Sequence, residues 1–516
     1  MYFLIDNGQH VAYIVDRYYY PQERIRMAHM HVDRRNGAEY HTLVESKRVN
    51  GKKVDVPILY LGRLIDREKG IYRNRERGTF VYNGEEGAIE PTQPVAKEKL
   101  ILDFGDSYIL DALLARTGFK DIMARVFPSD KDTVMSMLFY RVLSGGASRY
   151  AQTYWEGSYT RLLFPQASVE SQRVSEFYKR VGDESYHREF FKAYIAHIRP
   201  EVGSGVLVDS TGLPNDIRIP VTAVNNHNGV INNEARLILV VDRKSGLPLY
   251  FRYVAGNIVD VSTLVSTLAE LDCSGIDVDY AIVDAGYYSE KNIRELQGAM
   301  ISFITRLKPN LKLYKTLVAD HASDIGASKH LIKYQSRFLH IKPVEIPLFG
   351  RTGYAYICQD DDLKHIQEKD YYMDVYGEKD ITAEVMDDAV NKLGIFILIS
   401  SESILPNDLL PLYYTRQTVE QIFDIGKNNV DLIPLRVHSV EAFRGHLLMS
   451  FIASYIYILV NRYFVKSDKC AIGVFRIMRN QKCKVFDETI VPQEPNKAMN
   501  EIYETLRINA QSVIAR

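Results

Sequence analysis

Two aspartates and one helix face carry the residue types that could do chemistry in this 516-residue chain. Asp209 follows the apolar run Val206-Leu207-Val208, and Asp284 follows Ala281-Ile282-Val283. Short unbroken apolar runs of this kind predict strands buried on both faces. A carboxylate at the carboxyl end of such a strand has to sit at the sheet edge, within reach of water or a ligand, because burying it unpaired costs several kcal/mol. The third group lies in YYTRQTVEQIFDIGK. Read as one helix at about 100° per residue, Tyr413, Arg416, Glu420 and Lys427 fall within an arc of about 60°. That face presents a phenol, a guanidinium, a carboxylate and an ammonium, with Phe423 alongside. The mixture suits a phosphodiester: Glu for a metal ion, Arg and Lys for phosphate charge, Tyr for a phosphate oxygen.

Each feature also has a plainer reading. An Asp after a strand is often a turn acid, as Asp242 in LVVDRKSG is expected to be. Arg416 and Glu420 are an ordinary i,i+4 helix pair, although a solvated ladder does not call for flanking aromatics. Asp424, one turn beyond Glu420 and about 40° from it, competes with Glu420 for the same role.

The elements that must position these groups follow from periodicity. After VLVDS come ARLILVVD and LPLYFRYV, joined by the turn RKSG as a hairpin; then VSTLVSTLAEL, a helix capped by Asp260. DYAIVDAG reads as a strand, SEKNIRELQ as a helix and MISFITRLK as a strand. Three strands, a helix, a strand, a helix and a strand predict a mixed α/β layer with an antiparallel start, as in ribonuclease-H-like folds. Residues 311–400 interrupt with further strands, a charged stretch at DDDLKHIQEKD and the buried run GIFILIS. Ahead of the core, residues 1–97 read as β-rich, with the Asn50-Gly51 pair signalling a hairpin. Lys47 to Arg77 holds about ten basic residues against about four acids. Residues 98–200 are helical, with Ser129 and Asp132 as a capping-box-like start. Ser168 is expected to cap a short polar helix that carries Arg173 and Lys179 in the manner of a DNA recognition helix. Residues 401–465 complete the core and 466–516 read as a helical tail.

The spacing Tyr-x2-Arg-x3-Glu-x6-Lys at 413–427 resembles the signature of the IS-four-like insertion-sequence transposases. VDSTG around Asp209 and VDAGYYS around Asp284 are similar to that family's first two acidic motifs, and GNIVD at 256–260 to a further stretch. The resemblance spans about residues 200–465. It implies a ribonuclease-H-like catalytic core with Asp209, Asp284 and Glu420 as its acids, and a β-rich insertion at 311–400 between the last two. It also implies DNA contacts by Tyr413, Arg416 and Lys427, terminal inverted repeats and target DNA as partners, and a homodimer on DNA. Oxygen ligands suit hard divalent ions, so two Mg²⁺ ions are expected, Mn²⁺ being able to substitute. Asp209 would bridge them, and Asp284 and Glu420 would each complete one.

Composition sets the remaining bounds. The chain is 46% hydrophobic and 25% charged with a net charge of −1, so bulk charge does not make it a polyanion binder. Cysteines 273, 358, 470 and 483 have no zinc-ligand spacing. The start MYFLIDNGQH lacks the pattern of a signal peptide, and the apolar run 447–460 is short for a bilayer span. A cytoplasmic, nucleoid-associated protein without a membrane partner is expected, with the helices from 447 onward offering apolar surface for dimerisation. Three alternatives stay open: a nuclease that cuts without joining, a non-catalytic DNA-binding descendant, and a carboxylate-pair hydrolase such as a glycosidase.

Overall fold

The computed structural model describes residues 28–516 apart from 36, 50–51, 84–87, 92–99, 228–229, 259–262, 376–381, 434 and 436. The chain divides into two compact units, one of residues 1–99 with 486–489 and 516, the other of 100–485 with 490–515.

The first unit is a six-stranded antiparallel meander, β1 (His29–Arg35), β2 (Ala38–Val49), β3 (Lys52–Asp66), β4 (Ile71–Asn74), β5 (Gly78–Asn83) and β6 (Ala88–Pro91). Leu43, Leu59, Leu61, Tyr72, Phe80 and Tyr82 form its small core. Asn50 and Gly51 lie outside the described residues; the strands either side of them pair Val49 with Lys52 and Arg48 with Lys53.

The second unit opens with β7 (Leu100–Asp103) and a run of helices. These are α1 (Gly105–Arg116), α2 (Phe119–Val126), α3 (Lys131–Phe139), α4 (Ala151–Gly157), α5 (Thr160–Leu163), α6 (Ser171–Val181) and α7 (Glu184–Ile198). Two expected caps are corrected. The residue before α3 is Asp130, and Asp132 instead accepts from the Gln166 N–H. The residue before α6 is Glu170, and the Ser168 hydroxyl donates to Glu170 rather than capping the helix. Asp260 lies outside the described residues.

The central sheet contains β8 (Gly205–Pro214), β9 (Ala223–His227), β10 (Val230–Asp242), β11 (Pro248–Ala255), β12 (Tyr280–Val283), β13 (Ser302–Arg306), β14 (Leu331–Tyr334), β15 (Arg337–Leu348), β16 (Arg351–Asp360) and β17 (Ile395–Ser400). Their order is β11-β10-β8-β12-β13-β17-β16-β15-β14, with β9 on β10. β8, β10 and β11 are antiparallel neighbours, and β12 and β13 run parallel to β8. The parallel strands are reached through α8 (Leu264–Cys273) and α9 (Glu290–Gly298), as parallel pairing requires a crossover.

Residues 311–400, expected as a β-rich insertion, contribute four strands of this sheet. β17 pairs with β13 on one side and β16 on the other, so β14–β17 extend the same sheet. All six residues of β17 are buried, which is why Ile395-Phe396-Ile397-Leu398-Ile399 is continuously apolar. The same segment contains α10 (Lys312–His321), α11 (Asp361–Val375) and α12 (Ala383–Asn391). α11 carries the charged stretch and buries no residue.

The single helix expected across 413–427 is two. α13 (Pro406–Tyr413) ends at Tyr413; the chain tightens into a 3₁₀ turn at Tyr414–Arg416 and restarts as α14 (Gln417–Asn429). α15 (Val440–Tyr463), capped by Ser439 through the Ala442 N–H, contains the apolar 447–460 run. It is long and apolar enough to cross a membrane, yet 89% of its apolar window is buried inside the protein. Residues 447–460 are therefore core and not a free dimerisation surface. The 466–516 tail is not wholly helical: with α16 (Ala471–Arg479) and α17 (Lys497–Leu506) it supplies β18 (Lys482–Val485), β19 (Thr489–Pro492) and β20 (Ile514–Ala515), which join β7 in a second sheet ordered β20-β19-β18-β7.

Candidate active site

Register decides where the two aspartates sit. β8 and β12 run side by side with Val208 opposite Val283, so Asp209 and Asp284, each one residue further on, leave the paired region together. Asp209 is not at the end of its strand: β8 continues to Pro214, with Asp209 opposite Leu239 of β10. It is exposed to the site because β12 stops at Val283, where Asp284 begins a 3₁₀ turn. From Asp209 onward, β8 loses its parallel neighbour on that side. Thr305, opposite Val283 on β13, donates to the Asp284 carbonyl and ties the turn to the sheet.

α14 supplies the third acid. Val419, Ile422, Phe423 and Gly426 are its buried face, which leaves Glu420 partly out in solvent. Arg416, in the 3₁₀ turn just before, reaches all three carboxylates. Its Nη1 lies 2.6 Å from Asp209 Oδ2 and 3.6 Å from Asp284 Oδ1, and its Nη2 lies 2.9 Å from Glu420 Oε1. The Arg416 side chain is 18% exposed, against 14%, 40% and 53% for the three acids in turn. Lys427, further along α14, donates to the Thr211 hydroxyl at 2.7 Å. Asp209 and Thr211 are two apart on one strand and share a face, so Arg416 and Lys427 both cross from α14's side to the same face of β8.

Charge in this cluster is unbalanced. Burial pushes the Asp209 carboxyl up to about 6, and the neighbouring Asp284 and Glu420 add to that; Arg416 and the Ser210 N–H only partly oppose it. Burial also works against the Arg416 charge, but Asp209, Tyr413, Asp284 and Glu420 outweigh it and hold the guanidinium above its ordinary range. Tyr413 is buried, with Arg416 6.0 Å from its ring centre, and burial pushes its phenol up to about 12.

Among the described residues, no group of three or more His, Cys, Asp and Glu side chains stands arranged to hold a metal ion. The donor chemistry nevertheless fits a hard divalent cation. The three side chains converging on Arg416 all offer carboxylate oxygens, and one guanidinium offsets one of three negative charges. The two negative charges left over are what such an ion would neutralise.

Burying Asp209 has a measurable cost. The folded-state value of Asp209 lies above the unfolded value of about 3.9, so the folded chain keeps that proton to higher pH. The stability tied to the proton is complete below about pH 4 and is lost as pH rises through about 6. Asp209→Asn in metal-free buffer is thus expected to stabilise the chain at pH 7.5 by about 2 kcal/mol, the gain vanishing near pH 4. Thermal melts at the two pH values measure it; a wild type at least as stable as the variant at pH 7.5 contradicts the argument.

The other acids and cations named from sequence fall elsewhere. Asp424 is exposed on α14. Asp242 is fully buried and serves the β10–β11 turn, its carboxylate accepting from the Gly203 and Ser245 N–H groups at 2.8 and 2.5 Å. Arg173 and Lys179 are exposed on α6, where Arg173 donates to the Ser168 hydroxyl, and neither joins the acid cluster. Two neighbours were not singled out from sequence. Thr211 was readable as the residue two beyond Asp209 in VDSTG. Arg306 ends β13 at the edge where Asp284 sits, and its charge is felt at the Tyr413 phenol. A basic residue after an apolar strand was the only signal for it.

Residues 201–456 match the family model of the transposase DDE domain. That span contains Asp209, Asp284, Tyr413, Arg416, Glu420 and Lys427, and excludes Arg173 and Lys179. Among solved structures, a cryo-EM synaptic complex of piggyBac transposase with hairpin DNA is similar at 12% identity and a TM-score of 0.35, over 72% of this chain and 70% of that one. No curated protein matches.

Proposed function

We propose that this chain is a DNA transposase of the IS-four-like kind, with a ribonuclease-H-like core that cleaves the ends of its element and joins them to target DNA. The observation that carries this reading is the convergence of Asp209, Asp284 and Glu420 on the Arg416 guanidinium, with Lys427 on the same face of β8, inside a segment that matches a transposase DDE domain. The strand order, three antiparallel strands followed by two parallel ones, is in keeping with the fold.

Asp209, Asp284 and Glu420 would hold Mg²⁺, or Mn²⁺ in its place, which lowers the pKa of attacking water and stabilises charge on the leaving oxygen. The chain's own cations position the substrate. Arg416 offers a two-nitrogen fork suited to a phosphate, and Lys427, now bonded to a neutral hydroxyl, has no carboxylate to release before turning to one. In the first reaction water adds to the terminal phosphorus and the bond to O3′ breaks, freeing a 3′-OH. In the second, that oxygen attacks a target phosphorus and a target 3′-OH leaves.

End recognition is assigned to residues 1–200. The β2–β3 hairpin brings Lys47, Arg48, Lys52 and Lys53 to one tip, with Arg48 directly across from Lys53. A tip rich in Lys and Arg suits a DNA backbone. Arg173 and Lys179, on the outward face of α6, are proposed phosphate contacts. Two copies are expected on DNA, since two ends are cut.

The test is incubation of the purified chain with duplexes bearing the DNA that flanks its coding sequence, in Mg²⁺. Cleaved ends and joined products are expected; cleavage without joining would identify a nuclease instead. Within that assay, Lys427→Ala should weaken DNA binding alike on all sequences and flatten the salt dependence by about one unit. An unchanged slope with full cleavage would reduce Lys427 to a structural partner of Thr211.

A further inference from the structure

Arg416 does more in this arrangement than wait for a phosphate. Its two terminal nitrogens are committed to Asp209 and Glu420, with Asp284 in reach of the first. A cation bound by those oxygens would sit beside a guanidinium that is largely shielded from water, where like-charge repulsion is poorly screened. Lys427 differs, because its partner is the neutral Thr211 hydroxyl.

We propose that Arg416 is an internal counter-ion that competes with the metal ion for these carboxylates and thereby makes metal binding and DNA binding depend on each other. The inference rests on the metal-dependent reading above. A DNA phosphate offers the guanidinium the same two-oxygen face that the carboxylates do. When Arg416 turns to it, the acids regain their full negative charge and accept the ion. By linkage the ion must favour DNA binding by the same factor. Without DNA the site holds the ion more weakly, and a bound DNA phosphate relieves the competition.

Manganese titrations of the full chain without DNA, read as free Mn²⁺ by electron paramagnetic resonance, test this without an activity readout. Arg416→Gln should bind Mn²⁺ about tenfold more tightly than wild type, a change of about 1.4 kcal/mol. Arg416→Lys, which keeps the charge, should stay near wild type, and Asp209→Asn should lose the site. Adding a short mixed-sequence duplex, with its own Mn²⁺ uptake subtracted, should tighten the wild-type site and leave Arg416→Gln unmoved. A strut that merely holds the acids in place predicts the reverse: Arg416→Gln binding Mn²⁺ no better than wild type, with Asp209→Asn still abolishing it, overturns the inference and leaves the metal reading standing. If wild type and Arg416→Gln both bind no more Mn²⁺ than Asp209→Asn does, the metal reading falls with it.

Discussion

Asp209→Asn, Asp284→Asn and Glu420→Gln are each expected to lower end cleavage by more than about 100-fold while leaving DNA binding in metal-free buffer no weaker than wild type. Each amide keeps the shape of the side chain and removes its charge. Groups that only orient a metal ligand cost about 10–100-fold when lost, so a ligand itself should cost at least the upper figure. The geometry also says which acids should not matter to the chemistry. Asp424 is exposed and stands apart from the Arg416 cluster, so Asp424→Asn should keep most activity. Asp242 is bound to two backbone N–H groups, so Asp242→Asn should lose stability and not the chemical step. Single-turnover cleavage, with binding measured separately by fluorescence anisotropy, distinguishes these. An active Glu420→Gln beside a dead Asp424→Asn would move the catalytic acid one helical turn and break the present assignment.

The second large effect concerns how the helices before the core are seated. α6 crosses α15 at two glycines that face each other. A Cβ on Gly445 would press into the Tyr178 carbonyl and the Gly182 N–H, and one on Gly182 would press into the Glu441 carbonyl and the Gly445 N–H. Both obstacles are backbone, which cannot swing aside as a side chain can. Arg444 seals the crossing by donating to the Gly182 carbonyl at 2.9 Å. Gly445→Ala is therefore expected to destabilise the chain by about 3 kcal/mol, the upper end of the usual cost of overpacking. Gly298→Ala is the control. It lies in a helix with no atom within 4 Å of the added carbon, and should stabilise by about 0.5–1 kcal/mol. Urea unfolding reads both, and a Gly445→Ala variant as stable as wild type would show that the two helices do not pack this closely.

How much of this was legible beforehand depends on whether a feature is local. The apolar runs at 206–208 and 281–283 announced two buried strands, and the structure brings the acids that follow them together with Glu420. Their meeting depends on the pairing of Val208 with Val283, a register between distant strands that leaves no trace in either. For the same reason Asp209 was expected at a strand end, when it is the neighbouring strand that ends. The four-residue helix face was argued from one continuous helix. The chain instead breaks at 414–416, and Arg416 reaches the acids from a 3₁₀ turn. The buried run 395–400 was visible, but that it closes onto β13 was not, so residues 311–400 read as a separate domain. Exposed Arg173 and Lys179 show the limit most plainly: a polar helix face looks the same whether it meets DNA or water.

The sheet that joins β7 to β18 has a bearing on how the protein is made. Asp103 and Lys482, paired across it by an ion pair, are 379 residues apart. At the usual pace of about 5–20 residues per second, a ribosome needs on the order of twenty seconds to more than a minute to supply the partner of the first strand. Through that interval Leu100, Ile101 and Leu102 emerge with an open strand edge, of the sort that pairs with a neighbouring nascent chain. Polysomes crowded on one message would place such edges side by side.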